Sequence, residues 1–181
     1  MVTWRQILSS VNEWLMFAEA KNAILASVSS LALWALIRLV VIEDLTQAIK
    51  IYITSLILFL SFSLIIALIS FLPVLHYKFI IPKSKNKQHR NLLYFDYLSK
   101  LSKRELLTQY YSAKGDPNAA YGEIESMYAE QIIMNARITT AKFKIFRYGV
   151  SAVLLGVLTP FIGVFLLYFI NNSRSKMDGY G

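Results

Sequence analysis

The chain has no cysteine among its 181 residues, so disulfide staples, thiol nucleophiles and cysteine metal ligands are all excluded. Acidic residues are few, 11 against 19 Lys and Arg, and none are paired at a spacing suited to acid–base work. Gly115 and Gly122 stand alone, so no glycine-rich phosphate loop is present. The two histidines, His76 and His89, lie in a basic stretch that suits exposed surface residues better than a ligand or a general base. No catalytic constellation remains, and the sequence argues against an enzyme.

Charge is also absent or nearly absent from three long runs. Residues 51–75, IYITSLILFLSFSLIIALISFLPVL, and 148–170, YGVSAVLLGVLTPFIGVFLLYFI, carry none, and each exceeds the roughly 20 residues a helix needs to cross the hydrocarbon core. Pro160 in the 148–170 run is tolerable where neighbouring helices re-satisfy the freed carbonyl. Residues 22–42 form a third such run, broken only by Arg38, whose stem can reach the headgroups from near the helix end. The chain is 56% hydrophobic, with mean hydropathy +0.47. These values are too apolar for a soluble domain of this length and fit segregation into membrane spans.

The bases set the orientation. The turn between the first two runs carries Glu43 and Asp44, whereas Lys78, Lys83, Lys85, Lys87 and Arg90 follow the second, and Lys142, Lys144 and Arg147 precede the third. The positive-inside bias then predicts a cytoplasmic N-terminus, a cytoplasmic module over 76–147 and an outer C-terminal tail, 171–181. Arg174 and Lys176 oppose this layout but are outnumbered. The module carries 13 of the 19 bases against six acids. Contact with anionic lipid, at roughly 1 kcal/mol per base, accounts for that charge. Nucleic-acid binding would use the same charge, but no nucleic-acid-binding module is recognisable.

Residues 1–21 do not read as a cleaved signal. Trp4, Ile7, Leu8, Val11, Trp14, Leu15 and Ala18 fall at helical spacing, an amphipathic stripe rather than an unbroken apolar run. Two readings stay open: a helix lying in the membrane interface, or the cytoplasmic start of the first membrane helix. Within the module, Ser102-Lys-Arg-Glu105 has capping-box spacing and predicts a helix start. Gly115-Asp116-Pro117 predicts one helix ending and another starting, the second running from about Pro117 toward the last span. No proline or turn signal interrupts residues 127–157, so a helix is expected to pass from polar sequence into apolar sequence. HYKFIIP, 76–82, is the one strand-like piece.

The expected fold is therefore an all-α membrane protein: an amphipathic helix at 1–21, a two-helix membrane hairpin at 22–75, a mostly helical cytoplasmic module at 76–147, and a third transmembrane helix at 148–170. Aromatic faces, amides and an arginine can together hold a base and a phosphate. Asn91, Phe95, Asp96, Gln131, Asn135 and Arg137 are the candidate ligand-binding residues on that ground. Ser27, Ser29, Ser30, Ser61, Ser63, Gly156 and Gly163 permit close helix packing within one subunit or a polar seam between several.

FAEAKNA before the first span, LP closing the second, NLLYFDYLSKLSKREL after a basic linker and YAEQIIMNARITTAKFKIFRYG before the last span resemble, in their order, the transmembrane effector family of Pycsar, a bacterial anti-phage system. The resemblance covers nearly the whole chain. It implies a multi-pass protein of the bacterial inner membrane that uses no cofactor. Such an effector responds to a cyclic pyrimidine nucleotide, cCMP or cUMP, made by a partner pyrimidine nucleotide cyclase. It then impairs the membrane, so that the infected cell dies or arrests before phage mature. Many cyclic-nucleotide sensors use a β-roll, which nothing here matches, so a nucleotide would bind a helical module or an interface between copies of a homo-oligomer. Two alternatives share the spans: a constitutive holin-like membrane-lesion toxin, which has no use for the module, and a non-lytic anchor or scaffold that recruits a soluble partner.

Overall fold

The computed structural model describes residues 2–41, 45–72, 91–116 and 120–178, with side chains described through 161 and at 163. Every regular element among them is helical: α1 (Trp4–Val40), α2 (Gln47–Ile69), α3 (Phe95–Ser99), α4 (Lys103–Lys114) and α5 (Glu123–Asp178). The strand-like 76–82, both histidines, the basic stretch 83–90 and Pro117 lie outside the described residues. Two compact units form, one from Met1–Ala23 with Ser70–Phe146, the other from Ile24–Ile69 with Arg147–Gly181.

The first unit is a helical module built on an aromatic and aliphatic core. α1 contributes Trp4, Ile7 and Val11, spaced three and four residues apart so that they share one face. Phe95, Tyr97 and Leu98 come from α3, Leu106, Leu107, Tyr110 and Tyr111 from α4, and Ala129, Ile132, Ile133 and Ala136 from α5. Trp4 stacks on Tyr110 with ring centroids 3.9 Å apart. The N-terminal stripe predicted from the sequence is thus present, and what covers it is protein. α1 also runs unbroken from Trp4 to Val40. Neither of the two readings of this segment supplied the partner, because the helices that bury the stripe lie about 90 residues further along the chain.

Local signals place the module's short helices. Ser102 accepts from the Glu105 N–H (3.2 Å) while the Glu105 carboxylate accepts from the Ser102 N–H (2.9 Å), the reciprocal capping box that satisfies two orphan donors. Gly115, at φ 86°, takes the left-handed conformation that ends α4. Its N–H donates to the Ser112 carbonyl and the next N–H to the Tyr111 carbonyl, which is a Schellman closure. α5 starts later than expected, at Glu123 rather than near 117. The Gly122 N–H donates to the Glu125 carboxylate at 3.0 Å, so Gly122 with Glu125 supplies the N-terminal cap that the proline signal had suggested further upstream.

The second unit packs the apolar part of α1, α2 and the later part of α5. Leu25 and Ser29 of α1, Ile53, Leu60, Ser63 and Ala67 of α2, and Ala152 of α5 are buried. Ser29 Oγ lies 3.5 Å from Ser63 Oγ, a weak contact that lets the two backbones approach. The outward faces stay apolar, with Leu31, Trp34, Leu58, Phe62, Leu154 and Phe161 all exposed. α1 and α2 are each long and apolar enough to cross a membrane. The helix of the second apolar run begins at Gln47, ahead of residue 51, and ends at Ile69, ahead of residue 75. Arg38 lies in the last turn of α1, where a cation suits the helix dipole, with its guanidinium 4.5 Å from the Trp34 ring centroid.

Candidate functional site

Three of the six candidate residues lie on α5 where it crosses the module. Gln131 Nε2 donates to Asn135 Oδ1 at 3.1 Å, and Asn135 Nδ2 donates to Asn12 Oδ1 of α1 at 2.8 Å, so three amides form a row linking the two helices. Asn135, in the middle of the row, is buried, whereas Gln131 at the outer end is exposed and Asn12 at the other end half-buried. Arg137 lies two residues beyond. Its Nε donates to the Ser99 carbonyl (3.2 Å) and its Nη2 to the Leu101 carbonyl (3.3 Å), so the guanidinium fork caps the end of α3 and holds the link to α4.

The other three surround α3. Asn91 Oδ1 accepts from the Leu93 N–H at 2.9 Å and the Asn91 carbonyl from the Tyr94 N–H, forming an Asx turn that leads into the helix. Phe95 is buried in a ring cluster with Trp14 (5.4 Å), Tyr94 (5.0 Å) and Phe143 (5.1 Å, stacked). Asp96 pairs with Lys100 at 2.7 Å. Gln131 and Asn135 are therefore in contact, Arg137 braces the end of α3 next to Lys100, and Phe95 and Asp96 sit on α3 itself. None of the hydrogen bonds among the described residues joins Asn91 or Asp96 to the amide row.

The six candidate residues do not include Asn12 and Phe143, nor Trp14, which the sequence placed only in the N-terminal stripe; these complete the amide row and the ring cluster, with Lys21, whose ammonium lies 4.5 Å from the Phe17 ring centroid and 5.7 Å from that of Phe143. It also missed a polar junction at the end of α2. Lys142 Nζ donates to the Ser70 carbonyl (3.1 Å) and pairs with Glu19 (3.0 Å), while the buried Asn22 donates to the Ala18 and Lys142 carbonyls. One signal was available in the sequence. Asn22 and Ser29 continue the same α1 face as Trp4, Ile7, Val11, Ala18 and Leu25, and polar residues on a buried face call for hydrogen-bonding partners.

A second polar contact ties α4 to the start of α5. A hydrogen bond to the Glu125 carboxylate is the main cause that holds the buried Tyr111 hydroxyl up to about 12, and burial adds to it. The same bond is the main cause that holds Glu125 below the ordinary carboxylate range, helped by the Gly122 N–H. The Trp4 indole N–H is buried and closes no well-formed hydrogen bond, although it lies near enough to this carboxylate to favour its ionised form. Glu125, with its depressed folded pKa, contributes stability that is present above its ordinary value of 4.5 and is lost as pH falls through the lowered folded one. Tyr111, with its raised pKa, contributes stability that is present below 10 and is lost as pH rises from there toward about 12. Thermal melts across pH should therefore fall off on both sides, with Glu125→Gln flattening the acid limb and Tyr111→Phe the alkaline one. Parallel pH profiles for both variants and the parent would contradict this.

A shallow depression of about 390 Å³ lies along the start of α2, lined by Gln47, Lys50, Ile51, Thr54, Ser55 and Leu58. All of these belong to one helix, so it is a groove between side chains. The amides, the aromatic faces and the Arg137 guanidinium lie in the module, on a unit whose helices α1 and α5 continue into apolar sequence.

Fold and site together define an all-helical protein of the membrane-associated class, with two membrane-length helices and a polar, aromatic-rich helical module. The model of the Pycsar effector protein domain matches residues 3–169, and the chain belongs to that family. Membership makes it an effector of an antiviral defence system that works with a cyclase partner and acts in association with a membrane. Neither a curated protein nor a solved structure matches the chain.

Proposed function

We propose that the chain is the membrane effector of a Pycsar system and acts without catalysis of its own. It spans the bacterial inner membrane three times, the apolar part of α5 being the third span, and keeps the module in the cytoplasm. The module senses a cyclic pyrimidine nucleotide, cCMP or cUMP, released by the partner cyclase, and the spans respond by impairing the membrane, which ends the infected cell. The family match over 3–169 carries this reading. It is supported by α5, a single helix from Glu123 to Asp178 that holds three candidate ligand residues near its start and apolar sequence further on.

Asn135 and Gln131 offer donors and acceptors for a base edge, the Phe95 cluster offers ring faces, and Arg137 offers a cation for the phosphate. A ligand shifts a closed-to-open equilibrium only by its differential affinity, and moving from 1:99 to 99:1 takes about 5.5 kcal/mol. One small nucleotide on one module supplies part of this, and several copies acting together supply it more readily, so activity accompanies homo-oligomerisation.

The binding step is tested by titrating cCMP, cUMP and purine cyclic nucleotides into the protein in lipid nanodiscs, with tryptophan fluorescence as readout because Trp14 belongs to the ring cluster. Saturable binding of one pyrimidine cyclic nucleotide is expected, and none by any of them would contradict the reading. Arg137→Ala should abolish the response while membrane insertion stays intact. Arg137→Lys, which keeps the charge but loses the fork that reaches the Ser99 and Leu101 carbonyls, should restore little of it. An unchanged response in Arg137→Ala removes this residue from the site.

A further inference from the structure

The side of α5 that faces away from the module core is not polar. Ile124, Met127 and Met134 are 70%, 62% and 50% exposed, and Gln131 between them is exposed as well. The opposite side holds Ala129, Ile132, Ile133 and Ala136, all buried. The outward residues are spaced three, four and three apart, the a/d pattern of a helix that packs against a second helix, with a polar amide at one a position. Three large apolar side chains left exposed on a well-packed module are an unpartnered face.

We propose that a second copy of this chain docks on that stripe, α5 beside α5 in parallel. Size argues for a copy over a soluble partner. Four side chains along about 15 Å of helix fall well short of the roughly 800 Å² per partner that a stable soluble interface buries. The stripe therefore suits molecules already concentrated in one bilayer, where confinement raises the effective concentration. This step rests on the membrane anchorage proposed above. Copies sharing one bilayer orientation present the same stripe at the same height, so parallel pairing brings Ile124 to Ile124, Met127 to Met127 and Met134 to Met134. Methionine adapts its shape to such a seam.

The polar groups agree with this pairing. Gln131 Nε2 spends one hydrogen on Asn135, which leaves its second hydrogen and its Oε1 to pair with Gln131 of the other copy and fix the register. Of the charges flanking the stripe, Glu130 is paired with Lys103 at 2.7 Å and Arg137 is turned to two carbonyls, while Glu123 is exposed in the first turn of α5. The pairing also sets the outer ends of two amide rows side by side, so that a nucleotide held there would touch both copies.

The natural absence of cysteine makes the test direct. Single-cysteine variants Met127→Cys and Met134→Cys, with Thr108→Cys on the exposed side of α4 as control, are reconstituted in vesicles at low protein-to-lipid ratio. They are then oxidised with and without cCMP or cUMP. The expected result is a shift from monomer to disulfide-linked dimer at 127 and 134 and none at 108. Adding Met127→Glu to Met134→Cys should abolish the link without unfolding the module, because residue 127 is exposed. Three results would overturn the proposal: no link at 127 or 134 under any condition, equal linkage at 108, or a link at 134 that survives Met127→Glu. If another part of the same chain covers the stripe, both cysteines stay unlinked and the proposal fails. Neither nucleotide binding nor membrane leakage is read in this experiment, so its failure leaves the effector reading to its own test.

Discussion

Ile7→Ala is expected to remove about 2–5 kcal/mol from the stability of the module, the range for deleting most of a fully buried aliphatic side chain. Ile7 is 0% exposed and lies in the core with Val11, Trp4 and residues of α3, α4 and α5. Because the core packs around it, truncation leaves a cavity in addition to the lost transfer energy. Arg5→Ala, two residues away on the exposed face of α1, should change stability by no more than about 0.5 kcal/mol. Thermal melts or denaturant titrations in detergent, read by circular dichroism, compare the two directly. The result separates two physical pictures of the N-terminal helix. In a helix that merely lies in the interface, Ile7 would face lipid, and its truncation would weaken membrane contact without unfolding a distant module. Equal melting of the Ile7→Ala and Arg5→Ala variants would contradict the burial described here.

Gly156→Val should be the most disruptive single change in the second unit. A Cβ at Gly156 would lie 2.8 Å from Phe59 Cβ and 3.0 Å from Leu56 Cδ1. The first of these cannot turn aside, because it is fixed to the α2 backbone, so the helices must separate. Overpacking of this kind costs about 1–3 kcal/mol, and the branched side chain puts valine at the upper end. Two other glycines calibrate the effect. At Gly149 a Cβ would meet Leu25 Cδ2 at 2.6 Å, which is the tip of a flexible side chain that can change rotamer, so Gly149→Ala should cost less. At Gly163 nothing lies within 4 Å. Gly163→Ala should be neutral or slightly stabilising, by up to about 1 kcal/mol of helix propensity. The expected order of melting temperatures is therefore Gly163→Ala, then Gly149→Ala, then Gly156→Val. A Gly156→Val protein that melts with the parent would show that α2 and α5 are not packed this closely.

These two sites mark what could and could not be read from the sequence. The uncharged runs, the capping box at Ser102 and the stop at Gly115 were legible because each is a local signal whose physics lies within one or two helical turns. The stripe of Trp4, Ile7 and Val11 was legible as a stripe. Its partner was not, since periodicity shows that a face is buried without showing against what. The start of α5 was misplaced because Pro117 is a strong signal and Gly122 with Glu125 a weaker one, and the weaker one caps the helix. The close approach at Gly156 could be foreseen only as a permission for packing. That Phe59 fills the space emerged from the three-dimensional arrangement.

The candidate site was partly legible for the same reason. Residue chemistry drew attention to Gln131 and Asn135, and the two prove to be bonded to each other. Asn12, which completes the row from 123 residues away, gave no sign in its local sequence. Arg137 was chosen as a phosphate partner on its charge alone. Two of its five N–H donors already serve the Ser99 and Leu101 carbonyls, which leaves three for a phosphate at the proposed site.

The central claim, that a cyclic pyrimidine nucleotide acting on this chain impairs the membrane around it, is tested most directly by dye release from liposomes carrying only the purified protein. Release on adding cCMP or cUMP, with none from purine cyclic nucleotides and none before addition, is the result expected. Release without any nucleotide, or a sealed membrane under every nucleotide with insertion verified, would contradict it.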